Sequence, residues 1–408
     1  MKTSCLQHIA SQRGRVIEIQ TALTAFRALG PENGGDGEHA KAAYIEEQLR
    51  ACGVTDITHV DSPDARVTSG LRPNIVARIP GASPRTLWIF GHMDVVPPGD
   101  AASWHGDPWQ VRVDGDSLVG RGVEDNQQAI VSALLVAEAL HALRITPPLT
   151  LGMVFMADEE CGNDHGLAHV LRTRPDLFHA DDLLVVPDSG SPDGSAIEVA
   201  EKAVLWLRIT VRGLQAHGSA PHKGRNAFLA AADLALELEG LAHEFPAEDA
   251  LFSPPCSTFT PTRHDANVPN VNTVPAEDVF YMDCRLLPGL DRETVLAAVR
   301  RRCDAVAARR GVSVLVETHH WLPSTAPTPP DSPVVLALAQ AVREVYAVEP
   351  RAVGVGGSTV ACLLRARGLP AAVWSRVLDN CHAPDETALI SSALGDAQVF
   401  ASMLFSHE

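Results

Sequence analysis

Apolar strand-like runs alternate with helical patterns through about the first 200 residues, an order that few folds accommodate. The helical segment “HAKAAYIEEQLRACG” comes before the apolar run “RTLWIFGHMD”. A second helical segment, “NQQAIVSALLVAEALHAL”, comes before the strand-like runs “LTLGMVFMA” and “DDLLVVPDSG”. Strands separated by helices of this length form βαβ units with a largely parallel sheet. The sequence therefore predicts an α/β domain with a mixed, mostly parallel sheet.

The pattern changes near residue 201, where “AVLWLRITVRG” alternates apolar and polar positions like a strand with one covered face. A helix, two strands, a second helix and a last strand, “VSVLVET”, follow it. This β-α-β-β-α-β order predicts a ferredoxin-like domain inserted at 201–318. The Pro-rich stretch “LPSTAPTPPDSP” connects it to the returning α/β pattern. We predict that 1–200 and 319–408 form the catalytic, metal-binding domain and that the insertion acts as a lid and dimerisation domain.

Composition excludes several classes of protein. The 408 residues are 46% hydrophobic and 20% charged, as expected for a globular protein, and the length suffices for two domains. A formal net charge of −17 argues against a nucleic-acid or anionic-membrane surface, which needs clustered Lys and Arg. No stretch resembles a signal peptide or a membrane span. The eight cysteines form no CxxC pair, which favours a reducing compartment, and we predict a soluble, cytoplasmic protein.

Polar residues of metal-binding types stand at the carboxyl ends of the predicted strands and in the turns near them. In an open α/β sheet this edge forms the ligand-binding crevice, so side chains far apart in sequence meet there. Imidazole and carboxylate groups are both ligands of zinc and related divalent ions. The candidates, in chain order, are His92, Asp94, Asp125, Glu159, Glu160, Asp188, His382 and Glu386. The sequence thus predicts a site for a pair of divalent metal ions.

The segment “FMADEECGND” places three acids, Asp158, Glu159 and Glu160, directly after an apolar run. Neighbouring buried carboxylates raise one another's pKa unless a cation compensates them; an acidic tripeptide alone would indicate a solvated turn. A metal ion would compensate Glu160, while Glu159 would be the general base toward a water between the ions. Asp94 follows His92 by two residues and is the predicted acceptor for the second ring N–H of that histidine.

The motifs “GHMDVVPPG”, “GRGVEDNQQ”, “ADEECG”, “VVPDSG”, “GLQAHGSAPHKGRNA” and “NCHAPDE” resemble, in order, those of the dinuclear zinc amidohydrolases and exopeptidases. That family includes succinyl-diaminopimelate desuccinylase, acetylornithine deacetylase, aminoacylase and glutamate carboxypeptidase. The resemblance implies that His92, Asp125 and Asp188 hold one zinc ion and that Asp125, Glu160 and His382 hold the other. Cobalt or manganese are the alternatives to zinc.

The resemblance also implies roles for residues outside the metal ligands. His217 would donate a hydrogen bond to the oxyanion, often from the partner subunit of a homodimer formed through the inserted domain, with Asn272 nearby. Arg285 falls where relatives often hold a substrate carboxylate, although an ordinary surface salt bridge is an equal alternative. The backbone at Gly357 and Ser358, in “GVGGSTVA”, could also bind a carboxylate at a helix N-terminus.

The predicted function is metal-dependent hydrolysis of the amide bond of an N-acyl amino acid, a small substrate with a free carboxylate. The alternative within the family is a dipeptidase or a glutamate-type carboxypeptidase that uses the same dinuclear site. Two other classes stay open from the sequence: a cysteine hydrolase built on Cys161 or Cys381, and a non-catalytic protein that kept the fold. Both thiols are better explained as small buried side chains.

Overall fold

The computed structural model describes residues 1–406, which form two compact units. The first unit contains 1–199, 328–353 and the chain from Thr359 onward, and the second contains 200–327 and 354–358. Among the described residues, every helix is either too short or too polar to cross a bilayer.

The helices are α1 (Lys2–Ala10), α2 (Arg13–Ala25), α3 (His39–Ala51), α4 (Gln127–Leu143), α5 (Leu167–Thr173), α6 (Ala227–Glu239), α7 (Arg292–Arg310), α8 (Pro333–Tyr346), α9 (Ala361–Arg365) and α10 (Ile390–Leu404). The strands are β1 (Asp56–His59), β2 (Ser62–Pro63), β3 (Leu71–Arg72), β4 (Ile75–Ile79), β5 (Thr86–His92), β6 (Arg112–Asp114), β7 (Ser117–Val119), β8 (Thr150–Met156), β9 (Leu183–Gly190), β10 (Ala196–Glu201), β11 (Ala203–Arg212), β12 (Ala216–His217), β13 (Thr258–His264), β14 (Thr273–Val274), β15 (Glu277–Leu286), β16 (Ser313–Leu322), β17 (Arg351–Val355), β18 (Ala371–Ser375) and β19 (Thr387–Leu389).

The large sheet of the first unit has the strand order β1-β4-β8-β5-β9-β18-β10-β17. Its centre is parallel, because β5 pairs in parallel with β8 and β9, and β9 does so with β18. Antiparallel pairs flank this centre, with β1 and β4 on one side and β10 on the other. The predicted α/β class with a mixed sheet is confirmed.

Both faces of this sheet are covered, and β5 illustrates how. All seven of its residues are buried. Trp88 and Phe90 belong to a cluster that includes apolar side chains of α5 and α9. On the other face α4 approaches closely at Gly91, where a Cβ atom would lie 3.3 Å from Ile130. With both faces occupied, the strand ends are the parts of the central strands that can reach a ligand.

The second unit has the predicted β-α-β-β-α-β order, formed by β11, α6, β13, β15, α7 and β16. Its sheet has the order β13-β15-β11-β16, with antiparallel pairs. Alternate residues of β11, such as Leu205, Leu207 and Ile209, enter one apolar core with α6 and α7. Strand β16 runs to Leu322, further than “VSVLVET” predicts, because Trp321 continues the ladder opposite Leu205.

Candidate metal centre

Several of the predicted metal-site residues lie at or just beyond the carboxyl ends of the parallel strands in the first unit. His92 is the last residue of β5, the acids Asp158 to Glu160 follow β8, and Asp188 is near the end of β9. Asp125 lies two residues before α4. The strand alignment therefore accounts for the meeting of residues that are far apart in the chain.

His92 is buried and its two ring nitrogens face different acceptors. Nε2 lies 2.8 Å from Asp125 Oδ1 and 3.4 Å from Asp188 Oδ1. Nδ1 lies 3.0 Å from the backbone carbonyl oxygen of Asp94 and 3.4 Å from the Asp94 carboxylate. A carbonyl oxygen can only accept, so Nδ1 carries a proton. Nε2 faces the two carboxylates and is the nitrogen that would bind a metal after losing its own proton.

His382 lies on the opposite side of Asp125. Its Nε2 is 3.1 Å from Asp125 Oδ2 and 3.1 Å from Glu160 Oε2. Asp125 therefore directs one carboxylate oxygen toward His92 and the other toward His382. This is the arrangement needed for a carboxylate shared by two metal ions.

Two overlapping groups of side chains present ligand atoms within 4.8 Å of one another: His92 with Asp125 and Glu160, and His92 with Glu159 and Asp188. Imidazole nitrogens and carboxylate oxygens are the donors that zinc, cobalt and manganese accept. Carboxylates that are partly buried and this close together need positive charge nearby. The donor set therefore fits divalent metal ions.

The closeness of these carboxylates also shifts the pKa values of the side chains in the cluster. Burial, together with the charge of Asp188, raises the pKa of Glu159 well above its ordinary value. Burial and the charge of Asp125 raise the pKa of Glu160 to about 7. Hydrogen bonds with Asp125 and Glu160 raise the pKa of His382 to about 10. Without a metal ion, protons on these groups supply the charge that a cation would supply.

Asp94 holds the backbone that carries the two glutamates. Its carboxylate accepts hydrogen bonds from the N–H of Glu159 at 3.1 Å and from that of Glu160 at 3.0 Å. Its predicted contact with the His92 ring is made at the shorter distance by its carbonyl oxygen. Asp94 thus contacts both the histidine and the turn that carries Glu159 and Glu160.

Two buried side chains outside the proposed ligands also hold this site: Glu386, a candidate from the sequence with no assigned role, and Asn126. Glu386 accepts from the Arg121 side chain and from three backbone N–H groups between 122 and 125. Asn126 donates to Asp188 Oδ1 at 2.7 Å, and its peptide bond with Asp125 is cis. The usable sequence signals were the acid of “NCHAPDE” and the amide directly after Asp125.

The other predicted residues belong to the second unit. His217 Nδ1 accepts from the Ser219 N–H at 3.1 Å, so Nδ1 is unprotonated and Nε2 carries the ring proton of a neutral imidazole. Asn272 is next to this loop, because its carbonyl oxygen accepts from the Gly218 N–H. Arg285 is engaged by Asp283 through Nε and Nη2, and its Nη1 donates to the Gly356 carbonyl oxygen at 2.7 Å.

The glycine-rich segment of the second unit is open at Gly356 and Gly357, whereas Gly354 packs closely against Phe252. A Cβ atom added at Gly357 would meet nothing within 4 Å, so its backbone has room beside it. The Ser358 hydroxyl lies 3.4 Å from Glu201 Oε2.

The cysteines next to metal-binding residues have no sign of thiolate activation. Burial raises the pKa of the Cys161 thiol to about 12, and it does the same for Cys381. A nucleophilic cysteine needs a lowered pKa. The cysteine-hydrolase alternative is therefore disfavoured.

Comparisons with known proteins agree with this geometry. Residues 88–406 match the model of peptidase family M20/M25/M40. An uncharacterized metallohydrolase of Methanococcus maripaludis is 33% identical over 95% of this chain and 98% of its own length. The succinyl-diaminopimelate desuccinylase of Methylocella silvestris is 28% identical over 89% of this chain and 92% of its own length. The structure of the dipeptidase Dug1p from Saccharomyces cerevisiae has a TM-score of 0.78 at 18% identity, covering 99% of this chain and 98% of that one.

Proposed function

The chain belongs to peptidase family M20/M25/M40 and is a metallohydrolase that acts on amide bonds; within that family we propose that it is a deacylase of N-acyl amino acids. The observation that carries the proposal is the position of Asp125 between His92 and His382. The similarity over most of the chain to succinyl-diaminopimelate desuccinylases supports an N-acyl substrate. A dipeptidase is the second candidate, supported by the fold shared with Dug1p.

The proposed metal ligands divide into two sets that share Asp125. His92, Asp125 and Asp188 would hold one ion, and Asp125, Glu160 and His382 would hold the other. When bound, the two ions polarise the scissile carbonyl and lower the pKa of the attacking water. Zinc is the proposed metal, with cobalt and manganese as alternatives, because the donors are imidazole and carboxylate groups.

Glu159 is the proposed general base. It is partly buried beside the proposed ligands, and the Asp94 carboxylate accepts a hydrogen bond from its backbone N–H. In the reaction Glu159 accepts a proton from the attacking water and then donates that proton to the leaving amine nitrogen. Bound cations would favour the ionised carboxylate of Glu159, which is the form that can accept this proton.

His217 is the proposed oxyanion donor, acting from the partner subunit of a homodimer. Because Nδ1 accepts from Ser219, the proton of a neutral ring is on Nε2, the nitrogen that would donate to the oxyanion. The second unit also presents surfaces suited to association with a second copy. Helix α6 exposes Phe228, Leu229 and Leu236, and β13 forms an edge of its sheet.

The substrate carboxylate would be bound by Arg285 and the backbone of Gly357 and Ser358, while Asn272 would contact the substrate near His217. The open backbone at Gly357 supports direct contact with an anion. Arg285 already binds Asp283 and the carbonyl oxygen of Gly356, which supports a role in holding this segment in place as well. A cytoplasmic location completes the proposal, since the eight cysteines are all free thiols.

A substrate set with a common leaving group tests the proposal. N-acetyl, N-succinyl and glycyl derivatives of the same amino acid differ only in the acyl side of the amide. Each would be offered to metal-free protein supplied with zinc or cobalt, and each would be repeated with the amino-acid carboxylate converted to an amide. We expect a higher kcat/KM for an N-acyl member and a large loss on amidation. Preference for the glycyl member would establish the dipeptidase instead.

A further inference from the structure

The acid turn, defined here as Asp158, Glu159 and Glu160, has all three of its backbone N–H groups directed at buried carboxylates. Asp94 accepts from Glu159 and Glu160, as described above. The Asp158 N–H donates instead to Glu38 Oε1, over a long 3.4 Å. Glu38 therefore contributes to the same backbone support as Asp94, from a distant part of the chain.

Glu38 is itself fixed by an arginine. It directly precedes α3 and has no exposed surface. Arg72 Nε donates to Glu38 Oε2 at 2.7 Å, and Arg72 Nη2 donates to Oε1. The two planar groups form a bidentate pair, the arrangement that most restricts a carboxylate.

Arg72 also faces the acid turn directly. Its side chain is completely buried, and Nη1, which makes no hydrogen bond, lies 3.4 Å from Asp158 Oδ1 and 3.6 Å from Asp64 Oδ2. Asp158 has a φ angle of 63°, a left-handed conformation that non-glycine residues adopt only when their surroundings hold them there. The direction in which the chain enters Glu159 thus depends on a residue with contacts to both Glu38 and Arg72.

We propose that Glu38 and Arg72 are positioning residues for Glu159, acting through Asp158. The inference rests on the proposed role of Glu159 as general base. Glu38 accepts from the Asp158 N–H, and Arg72 forms a bidentate pair with Glu38 and an ion pair with the Asp158 carboxylate. Together they fix the first residue of the acid turn, while Asp94 fixes the other two. Displacing Asp158 would turn the Glu159 carboxylate away from the attacking water.

A different result is expected if the buried pair of Glu38 and Arg72 only stabilises the fold. Its loss would lower the melting temperature and the yield of folded protein, but each folded, metal-loaded site would keep its kcat and its pH profile. A positioning pair affects kcat at full metal occupancy, because proton transfer is sensitive to small displacements of the base.

Two variants and a control separate these cases. Glu38→Gln keeps the shape of the side chain without its charge, and Arg72→Lys keeps the charge without the bidentate fork. Arg365→Lys is the control, since Arg365 is also buried in the first unit and bonds to the Ala371 carbonyl oxygen. Melting temperature, metal content, kcat, KM and the pH profile of kcat would be measured on each full-length protein.

We expect kcat per metal-loaded site to fall about 10–100-fold in Glu38→Gln and Arg72→Lys, the usual effect of losing an outer partner of a metal site. KM and metal content should be unchanged, the pH profile should shift, and Arg365→Lys should lose only melting temperature. Unchanged kcat and pH profile in both variants would overturn the inference.

Two further measurements keep the test decisive. If Arg72→Lys does not fold, Asp158→Asn removes the charge opposite Nη1 with little change of shape, and an unchanged kcat there would also overturn the inference. The proposed function fails by a different result: no metal-dependent amide hydrolysis by the unmodified protein, or full turnover by Glu159→Gln.

Discussion

The carboxylate of Glu386 binds the backbone of Asp125: Glu386 Oε1 accepts the Asp125 N–H at 3.0 Å. The same carboxylate accepts from Arg121 at 2.7 Å and from the N–H groups of Gly122 and Glu124. Arg121 in turn donates to the His382 carbonyl oxygen at 3.3 Å. Glu386 thus binds the backbone of Asp125 directly and is linked to that of His382 through Arg121. Asp125 and His382 are two of the three residues proposed to hold the second ion.

Replacing Glu386 by glutamine should weaken metal binding about 10–100-fold, as loss of an outer partner typically does. The amide introduced by Glu386→Gln would offer one acceptor oxygen in place of two and would turn its own NH₂ group toward some of the donors. Competition with a fluorescent chelator measures the affinity. Glu317→Gln is the matched control, because Glu317 is partly exposed and forms an ion pair with Arg208 in the second unit. Equal affinity in Glu386→Gln and the unmodified protein would contradict the role given to Glu386.

Glu159 and its neighbour Glu160 should respond differently to the same substitution. Glu159→Gln is expected to lower kcat by about 10²–10⁴-fold, the range for loss of a general base, with both ions still bound. Glu160→Gln should lower metal content, because a carboxylate ligand is lost. Elemental analysis and initial rates on the same preparations test both. Metal loss in Glu159→Gln would show that this residue is a ligand and not the base.

Metal binding should release protons and strengthen as pH rises. The pKa of His382 is raised to about 10 by its hydrogen bonds with Asp125 and Glu160, so this ring is protonated at pH 8 and must lose its proton to bind a metal. The pKa of Glu160 is raised to about 7 by burial and the Asp125 charge, so below pH 7 a second proton must leave. Affinity should therefore rise from pH 6 to pH 8, and more steeply at the lower end. Titration calorimetry in buffers of different ionisation enthalpy measures the protons released; a heat independent of buffer would contradict the expectation.

Mixed dimers test whether His217 acts across subunits. A dimer of one Glu159→Ala and one His217→Ala subunit keeps one complete site if His217 is supplied by the partner, and none if it is supplied by its own subunit. Random assortment should restore about a quarter of the original activity, since half of the dimers are hybrids with one working site each. Each variant alone should be inactive. Hybrids that form by native mass spectrometry but regain no activity would count against action in trans.

The central strands, the long helix α4 and the residues at the strand ends were predictable from local sequence patterns. The apolar runs of β5, β8 and β9 and the long apolar α4 were recognisable because both faces of the sheet are covered. The metal-binding residue types at their ends were recognisable because ligands meet at the carboxyl edge of a parallel sheet. Helices α1 and α2 were not predicted, although α2 buries Val16, Ile19 and Leu23 at helical spacing among polar residues.

Contacts between distant segments were not predictable in the same way. Glu386 binds backbone N–H groups more than 260 residues earlier in the chain, and backbone donors leave no residue-type signature. The link from Arg72 to Glu38 joins a two-residue strand to the start of a helix, and neither has a distinctive pattern. The contact between Arg285 and Asp283 could have been predicted from the sequence. Asp283 lies two residues earlier in the same strand, β15, and residues at that spacing share a face.

Hydrolysis should depend on metal ions held by the cluster around Asp125. Titration of metal-free protein with zinc or cobalt, with metal content and amide hydrolysis followed together, measures this dependence directly. We predict that activity is absent without metal and is restored as two equivalents bind per chain, and that the His92→Ala and His382→Ala variants fail to recover. Full hydrolysis by protein that contains no metal and takes up none would contradict the account.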